Sequence, residues 1–428
     1  MTVAPRRSGR RSLRLVLPGA IAFAVLWLIS EPALLFSDFY KAYYPTAEML
    51  LQAGPRATWP ADELCVSGFA NLPILAWAFV PLVHLGQVAG AWLFFAVGVA
   101  AVLGAWALLV RSAQPDAQCG AALLCLFLVN GPLVNSLREG NTTHFVLFLL
   151  VATLLLWRAG REYLAGLVLG LGAVIKLPLL LYGAYFIVRR RWHMVAGGAT
   201  TVAATALLSV AVFGTDINIG WYQYCVEPFV GGAIPAFNVQ SVDGFLIRLA
   251  TGDTRLRDWD PVGLSAAHRL ARAAIVITLF GGTLWLIRRA DHAAPAPGPA
   301  GALGARDLIE FSLVLGLAIV TSPIAWTHYY LLLLLPWGLY LGGNLHLPGD
   351  ATTRRLMYAS IGLSSLPVVI PPIDLGAWSG LAARTIVSAW LAGGLLMLSA
   401  LVRGAWLAPG QGRTQSGGET RSAPSAPP

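Results

Sequence analysis

Residues 6–36 read RRSGRRSLRLVLPGAIAFAVLWLISEPALLF, a cluster of five arginines followed by an apolar run from about Leu15 to Phe36. The hydrocarbon core of a bilayer takes about 20 apolar residues per helix, so this run predicts a first membrane span. The run is too long for a simple signal peptide and has no small-residue cleavage site. Because arginine-rich flanks stay on the cytoplasmic side of a span, residues 1–14 are predicted to form a basic cytoplasmic N-terminus.

The composition of the whole chain favours the same class of protein. Of its 428 residues, 57% are hydrophobic and 11% are charged, which is too apolar and too long for one soluble core. A soluble nucleotide-binding enzyme, a disulfide-rich secreted module and a disordered chain are excluded, and an all-α polytopic membrane protein is predicted. About twelve spans are expected. After the first, they lie near 88–110, 118–135, 144–157, 162–175, 177–188, 193–213, 270–287, 307–321, 328–343, 355–370 and 380–402.

The arginines indicate the orientation of these spans. If loops alternate between the two sides, 19 of the 27 arginines fall on the side of the N-terminus, as the positive-inside rule requires of the cytoplasm. The net charge of +9 is then explained by arginines that set the orientation of the spans, and it does not indicate nucleic-acid binding. We expect a multi-pass protein of the cell (inner) membrane with both termini cytoplasmic. Its membrane domain is predicted over 15–403, with outer loops at about 37–87, 136–143, 214–269, 322–327 and 371–379, and a disordered cytoplasmic tail at 404–428.

Two stretches do not fit a simple alternation of spans. Residues 69–85 are apolar enough to cross, but a crossing would invert every later loop, so an interfacial or re-entrant segment is predicted. Residues 162–188 have arginines at both ends and are only 27 residues long, which predicts two short helices that meet near Lys176 and Pro178. Short or broken spans are typical of helices that line a cavity.

Dense polar chemistry falls in four segments on the predicted outer side, at 37–72, 136–144, 214–268 and 321–330. The active site is therefore expected to face the periplasm or exterior. Asp38 stands just outside the first span, next to Phe39 and Tyr40, where partial desolvation suits it as a general base. The alternative is an ordinary interfacial carboxylate.

Three basic residues are candidates for binding a phosphate. Lys176 is one of only two lysines and lies in an apolar stretch, where a charge is costly unless it is paired or functional. Its alternative is a structural pair with Glu139 or Asp38. Arg138 either neutralises Glu139 or binds phosphate. His328 follows a predicted break between two spans and suits a phosphate or a sugar hydroxyl.

A further set of polar and aromatic residues suits sugar hydroxyls and sugar faces. Its members are Tyr43, Tyr44, Glu139, Asn141, His144, Asn238, Gln240, Ser241 and Trp326. His144 is alternatively a packing histidine. Asn141 opens an N-glycosylation pattern, for which a polar turn is the preferred interpretation.

Three other patterns have structural interpretations. Asp258-Trp259-Asp260 resembles a DxD metal signature but is interpreted as a loop, and neither a metal nor a cofactor is expected. Cys65 and Cys225 both lie on the outer side and are candidates for one disulfide. Gly166 and Gly170 have GxxxG spacing, which here favours close helix packing over dimerisation.

Five short motifs in a fixed order carry a family likeness over about residues 15–400. They are Asp38-Phe39 with Tyr43-Tyr44, Ala47, Leu50-Leu51 and Gly54; Glu139-Gly140-Asn141; Ala165-Gly166 through Ile175-Lys176-Leu177-Pro178 to Arg190-Arg191-Trp192; Asn238 with Gln240-Ser241 and Gly244; and Ser322-Pro323-Ile324 with Trp326 and His328. In this order the chain resembles the GT-C membrane glycosyltransferases, and specifically glycosyltransferase family 87. Known members include polyprenyl-phosphate-mannose-dependent α-mannosyltransferases of actinobacterial envelope glycolipid synthesis.

The resemblance implies a GT-C-type bundle in which Asp38 matches the catalytic base and His328 matches a histidine near the donor phosphate. Two departures are present. The second motif usually reads Gly-Gln-x-Asn, where this chain has Glu139-Gly140-Asn141-Thr142, and the last usually has two adjacent histidines, where Tyr329 follows His328. Mannose is the expected sugar, and the departures leave open whether the sugar and the acceptor are those of the mannosyltransferases.

Together these observations predict an inverting glycosyltransferase with a polyprenyl-phosphate sugar donor and a lipid or glycan acceptor. The first rival is a transporter or flippase for a lipid-linked saccharide, which predicts gating residues on both faces, whereas the polar chemistry here is on one side. The second rival is a non-catalytic membrane assembly protein, for which Asp38 would be dispensable.

Overall fold

The computed structural model describes residues 7–29, 35–54, 69–113, 117–293, 303–368 and 378–407. The longer α-helices are Arg7–Ile29, Tyr44–Ala53, Gln87–Ala113, Ala117–Val129, Gly131–Glu139, Thr143–Arg158, Glu162–Ile175, Leu181–Val188, Trp192–Phe213, Thr215–Cys225, Val242–Thr251, Ala266–Ala293, Ala305–Thr321, Leu334–Leu341, Ala351–Ser364 and Ala389–Leu407. Shorter helical pieces are Phe39–Tyr43 (π), Pro73–Phe79, Leu177–Leu180, Thr327–Leu333 and Ile386–Ser388 (3₁₀), and Val80–Val83, Glu227–Gly231 and Ser379–Arg384 (α). The strands Gly232–Ala233 and Val262–Gly263 pair antiparallel.

The apolar helices make this an all-α membrane protein. Among the described residues, four helical stretches are long and apolar enough to cross a bilayer, at Gln87–Ser112, Trp192–Phe213, Ala266–Arg289 and Ser379–Leu407. A fifth crossing results if the pair Gln118–Val129 and Gly131–Glu139, bent by 56°, is one broken span. The total of twelve spans stays a prediction.

The predicted break within residues 162–188 is confirmed. The helix Glu162–Ile175 ends at Lys176, whose backbone is extended, and the 3₁₀ helix Leu177–Leu180 follows. Pro178 disfavours a continuous helix because it has no N–H and crowds the residue before it. Lys176 therefore lies between two helices, and its side chain lines the cavity described below.

The segment 69–85 is also shorter than a span. Its helical part, Pro73–Val83, is well below the about 20 residues that a crossing takes. It packs beside the helices Tyr44–Ala53 and Trp192–Phe213. That this segment is interfacial or re-entrant stays a prediction.

Several predicted boundaries need correction. Of the outer loops expected at 37–87 and 214–269, much is helical, because short runs rich in Tyr, Trp and Pro still form helices of one to three turns. The last helix continues to Leu407, so residues 404–407 belong to the bundle and not to the tail. Residues 408–428 and most of the loop expected at 371–379 lie outside the described residues.

The helix Ala305–Thr321 forms the centre of the bundle, and its residues from Asp307 to Val320 are all buried. The Tyr182 hydroxyl donates to its Phe311 carbonyl at 2.9 Å. Near its N-terminal end, Glu310 pairs with Arg306 at 2.6 Å and with Arg189 at 3.1 Å. This ionic cluster fixes one end of the helix, while its other end, at Thr321, reaches the site described below.

The packing prediction for Gly166 and Gly170 is confirmed. A Cβ on Gly170 would lie 2.9 Å from the Gly198 carbonyl oxygen, and one on Gly166 would overlap the Met194 carbonyl oxygen. The helices Glu162–Ile175 and Trp192–Phe213 thus approach at a glycine-lined seam within one chain. The seam holds the broken helix and therefore the position of Lys176.

Candidate active site

All four predicted polar segments contribute to a cavity of about 1120 Å³. Its charged and polar lining includes Asp38, Lys41, Tyr43, Asn71, Glu139, Asn141, Lys176, Asn238, Ser322, Trp259, Trp326, His328 and Tyr329. The apolar part includes Val174, Leu177, Leu181, Phe229 and Phe280. Such a mixture suits a ligand with a polar head and an apolar tail.

A tight turn brings Asp38 to the start of the second polar segment. Phe36 has a left-handed backbone with φ of 58°, and its N–H donates to the Arg138 carbonyl at 2.6 Å. Gly140 ends the helix Gly131–Glu139 at φ of 68°, and a Cβ there would lie 2.9 Å from Cβ of Phe39. Because only glycine combines this φ with this close approach, the two segments can meet at Asp38.

Asn141 is the centre of the polar network. Its Nδ2 donates to Oδ2 of Asp38 at 2.6 Å, and its Oδ1 lies 3.5 Å from the Lys176 ammonium. The same Oδ1 accepts from the backbone N–H and the hydroxyl of Thr143, at 3.0 and 2.7 Å. One amide therefore joins the candidate base to the candidate phosphate-binding lysine.

Asp38 lies outside the candidate spans, and burial raises its pKa above the ordinary value. The hydrogen bond from Asn141 and the positive charges of Lys176 and Lys41 act in the opposite direction. A carboxylate with a raised pKa binds a proton more strongly, which suits a general base.

Lys176 and His328 are two of the basic residues that line the cavity, the third being Lys41. The Lys176 ammonium lies 4.8 Å from the centre of the Tyr329 ring. Nδ1 of His328 lies 3.8 Å from Oε2 of Glu139, while its buried Nε2 has no hydrogen-bond partner among the described residues. His328 therefore lines the cavity with its Nδ1 directed to Glu139.

Asn238 and Trp326 line the cavity, and a local network holds both. The Thr327 N–H donates to the Asn238 carbonyl at 2.8 Å, and Trp326 forms a β-bridge with Val239. The indole N–H of Trp259 donates to Oδ1 of Asn238 at 3.0 Å. Tyr43 also lines the cavity, with its ring stacked on Phe79.

Five predicted site residues are not part of the lining. Arg138 is buried, with its guanidinium 5.7 Å from the centre of the Trp27 ring. Tyr44 packs against Phe39, and His144 is a packing histidine with Nδ1 3.1 Å from the Ser136 hydroxyl. Polarity in a sequence does not distinguish a ligand-facing side chain from one that is buried inside the fold.

The other two, Gln240 and Ser241, hold the backbone near the cavity. The Gln240 amide donates to the carbonyls of Phe237 and Val387, at 2.7 and 2.6 Å. The Ser241 hydroxyl accepts from the Gly244 N–H and donates to the Pro323 carbonyl at 3.0 Å. Both residues are completely buried and support the segment that carries Asn238.

Three of the lining residues that are absent from the predicted set are Lys41, Tyr329 and Trp259. Lys41 lies one turn after Asp38 and is the other lysine of the chain, a signal the sequence did contain. Tyr329 replaces the second histidine of the family pattern, and its place beneath Lys176 could not be read from the chain. Trp259 lies in a loop, as predicted, but the loop turns it toward the cavity.

The remaining patterns have structural roles. Asp258 is held by the guanidinium of Arg255, as expected of a loop residue. In the described part of the chain, no three His, Cys, Asp or Glu side chains lie close enough to hold a metal ion. Cys225 is disulfide-bonded, whereas Cys65 lies outside the described residues.

These features define a helical membrane protein with a charged cavity, which is lined in part by Lys176 at the break of a helix. The chain belongs to glycosyltransferase family 87, whose sequence profile matches residues 69–309. The matched range includes Glu139, Asn141 and Lys176, and excludes Asp38 and His328.

A characterised relative has a narrower description. The chain is 29% identical over 273 residues to the polyprenol-phosphate-mannose-dependent alpha-(1-2)-phosphatidylinositol pentamannoside mannosyltransferase of Mycolicibacterium smegmatis. The similarity covers 62% of this chain and 59% of the relative. No solved structure matches the chain significantly.

Proposed function

We propose that this protein is an inverting glycosyltransferase of the cell (inner) membrane. It moves a sugar, mannose by analogy with the relative, from a polyprenyl phosphate to a hydroxyl of a lipid-linked or periplasmic acceptor. The observation that carries the proposal is the Asn141 amide, which binds both Asp38 and Lys176 in one cavity. Family membership and the polyprenol-phosphate-mannose dependence of the relative support it.

In the proposed reaction Asp38 is the general base. The acceptor oxygen forms a bond to the anomeric carbon while its proton passes to the Asp38 carboxylate. The bond between the anomeric carbon and the phosphate oxygen breaks, and its electron pair leaves with polyprenyl phosphate. Since a single displacement attacks from the side opposite the leaving group, the anomeric configuration inverts.

Charge develops on the departing phosphate, and the basic side of the cavity is suited to stabilise it. Lys176 supplies a fixed positive charge, and the imidazole of His328 lines the same cavity. Fixed charges in a site with little water typically contribute several kcal/mol to a transition state of this kind. The apolar lining at Leu177, Leu181 and Phe280 suits the prenyl chain of the donor.

Within this proposal the chain has about twelve spans and both termini in the cytoplasm. The cavity then opens toward the periplasm or exterior, because all four polar segments that line it belong to the side opposite the arginine-rich loops. This orientation matches a lipid donor that is used after it has crossed the membrane.

The test is transfer by the purified full-length chain in lipid nanodiscs. Polyprenyl phosphate carrying radiolabelled mannose is the donor, and a mannosylated glycolipid is the acceptor. We expect label in the acceptor with the wild type and a loss of about 10²–10⁴-fold in kcat with Asp38→Asn. Asp216→Asn is the matched control, because Asp216 is exposed and outside the cavity lining.

Two outcomes would contradict the proposal. If no labelled sugar moves from any polyprenyl phosphate while a lipid-linked saccharide still crosses proteoliposomes, the protein is a transporter. If Asp38→Asn transfers sugar as fast as the wild type, the assignment of the base is wrong.

A further inference from the structure

We propose that Asn141 is a positioning residue for the catalytic base: its amide holds one carboxylate oxygen of Asp38, and the other oxygen, Oδ1, takes the proton of the acceptor. The inference rests on the proposed function and deepens it. It replaces the expectation that Asn141 binds sugar.

The orientation of the Asn141 amide follows from its neighbours. Its carbonyl oxygen accepts from the Thr143 N–H and from the Thr143 hydroxyl, at 3.0 and 2.7 Å, and faces the Lys176 ammonium. All three are donors, so a flipped amide would put its NH₂ group against them. The NH₂ group must therefore point to Asp38, 2.6 Å away.

This orientation distinguishes the two oxygens of Asp38. Because an amide NH₂ can only donate, Oδ2 must remain an acceptor, and a proton on Oδ2 would lose this hydrogen bond. Among the described residues, no hydrogen bond reaches Oδ1. The proton of the acceptor hydroxyl therefore passes to Oδ1 as the new glycosidic bond forms and the sugar–phosphate bond breaks.

The anchoring of Asn141 suits this role. Its side chain is 4% exposed, and Thr143 is completely buried. The Asn141 N–H donates to the Ser136 carbonyl at 2.9 Å, so the backbone is fixed as well. A water molecule that entered in place of a lost amide would lack this fixed orientation.

The same contacts couple the base to the donor side. The Asn141 oxygen lies 3.5 Å from the Lys176 ammonium, so one planar group sets the positions of Asp38 and of the lysine assigned to the phosphate. A displacement reaction needs the base and the leaving group on opposite sides of the anomeric carbon. The Asn141 amide therefore holds the base, Asp38, at a fixed distance from Lys176, which binds the leaving phosphate.

The test compares Asn141→Ala, Thr143→Val and Thr143→Ser with the wild type, as full-length protein in nanodiscs. For Asn141→Ala we expect kcat to fall about 10- to 100-fold with little change in the acceptor KM. The acid limb of the kcat–pH profile should move to higher pH, because the lost hydrogen bond stabilised the ionised carboxylate. Thr143→Val should cause a smaller change in the same direction, and Thr143→Ser, which keeps the hydroxyl, a smaller one still.

A second readout needs no turnover. The infrared band of the protonated Asp38 carboxyl, assigned by its absence in Asp38→Asn, is titrated against pH in the wild type and in Asn141→Ala. We expect the midpoint to rise in Asn141→Ala. This measurement remains valid even if no sugar is transferred, so it separates failure of the inference from failure of the proposed function.

The inference would be overturned if Asn141→Ala left kcat and the infrared midpoint unchanged. It would also be overturned if only the acceptor KM rose, since Asn141 would then be a sugar-binding residue. If Asn141→Ala fails to fold, Thr143→Val carries the test, because it removes one donor to the amide and leaves the amide itself in place.

Discussion

The ammonium of Lys176 lies 4.8 Å from the centre of the Tyr329 ring, and both residues line the same cavity. Among the described residues, no carboxylate forms an ion pair with this lysine within 4.0 Å. Its contacts are instead the ring face and the Asn141 oxygen. An aromatic face attracts a cation without neutralising it, so the positive charge remains available to a phosphate.

Replacement of Tyr329 tests this arrangement. Tyr329→Phe keeps the ring face and should retain most of the transfer activity, whereas Tyr329→Leu removes it. A desolvated cation–π contact contributes about 2 kcal/mol, so Tyr329→Leu should weaken donor use by up to about 30-fold in kcat/KM. Steady-state kinetics at varied donor concentration measure this, and equal losses in the two variants would show that the ring face is not what matters.

Lys176 itself should be more sensitive than its aromatic partner. Lys176→Met preserves the length of the side chain and removes the charge, and we expect a loss of about 10²–10³-fold in kcat, as is usual for a group that stabilises transition-state charge. Lys41→Met is the comparison, because Lys41 is the other lysine of the cavity but has no direct contact with Asn141. A similar loss in both variants would argue for a general electrostatic effect.

The activity should have an acid limb set by Asp38. The base must be ionised to accept a proton, and burial raises its pKa above the ordinary value of 3.8. Activity is therefore expected to rise with pH through a midpoint higher than that of an exposed aspartate. Lys41→Met should move this midpoint further up, since the Lys41 charge lowers the pKa, and Lys41→Arg should not. A midpoint at or below the ordinary value would exclude Asp38 as the titrating base.

The sequence predicted local features better than long-range ones. The break at Lys176 follows from Pro178 and from a stretch too short for two full spans, both visible in the chain. The hydrogen bond between Asp38 and Asn141, 103 positions apart, depends on the turn at Phe36. The left-handed φ of Phe36 could not be predicted from the residue types around it. Gln240 has the polarity of a sugar ligand, and only the fold shows its amide bound to two backbone carbonyls.

Topology can be tested with reporter fusions. The positive-inside rule assigns Ala113, beside Arg111, to the cytoplasm and Asp216 to the exterior. Alkaline phosphatase should be active when fused after Asp216 and inactive after Ala113, and a fluorescent protein that folds only in the cytoplasm should give the opposite result. The same side for both positions would require an even number of crossings between them, and a cytoplasmic result at Asp216 would reverse the proposed orientation of the cavity.

The glycine seam offers a test of how the fold supports the site. Gly166→Ala would place a methyl group against the Met194 carbonyl, a backbone atom that cannot move without shifting a whole helix. Overpacking of this kind costs about 1–3 kcal/mol, so the variant should unfold at a lower temperature in detergent. Gly183→Ala is the matched control, because nothing lies within 4 Å of a Cβ there and alanine favours a helix.

If the seam positions Lys176, Gly166→Ala should also raise the donor KM, while Gly183→Ala should leave both the melting temperature and the donor KM close to those of the wild type. Equal melting temperatures for the two variants would show that the helices can separate at the seam without cost.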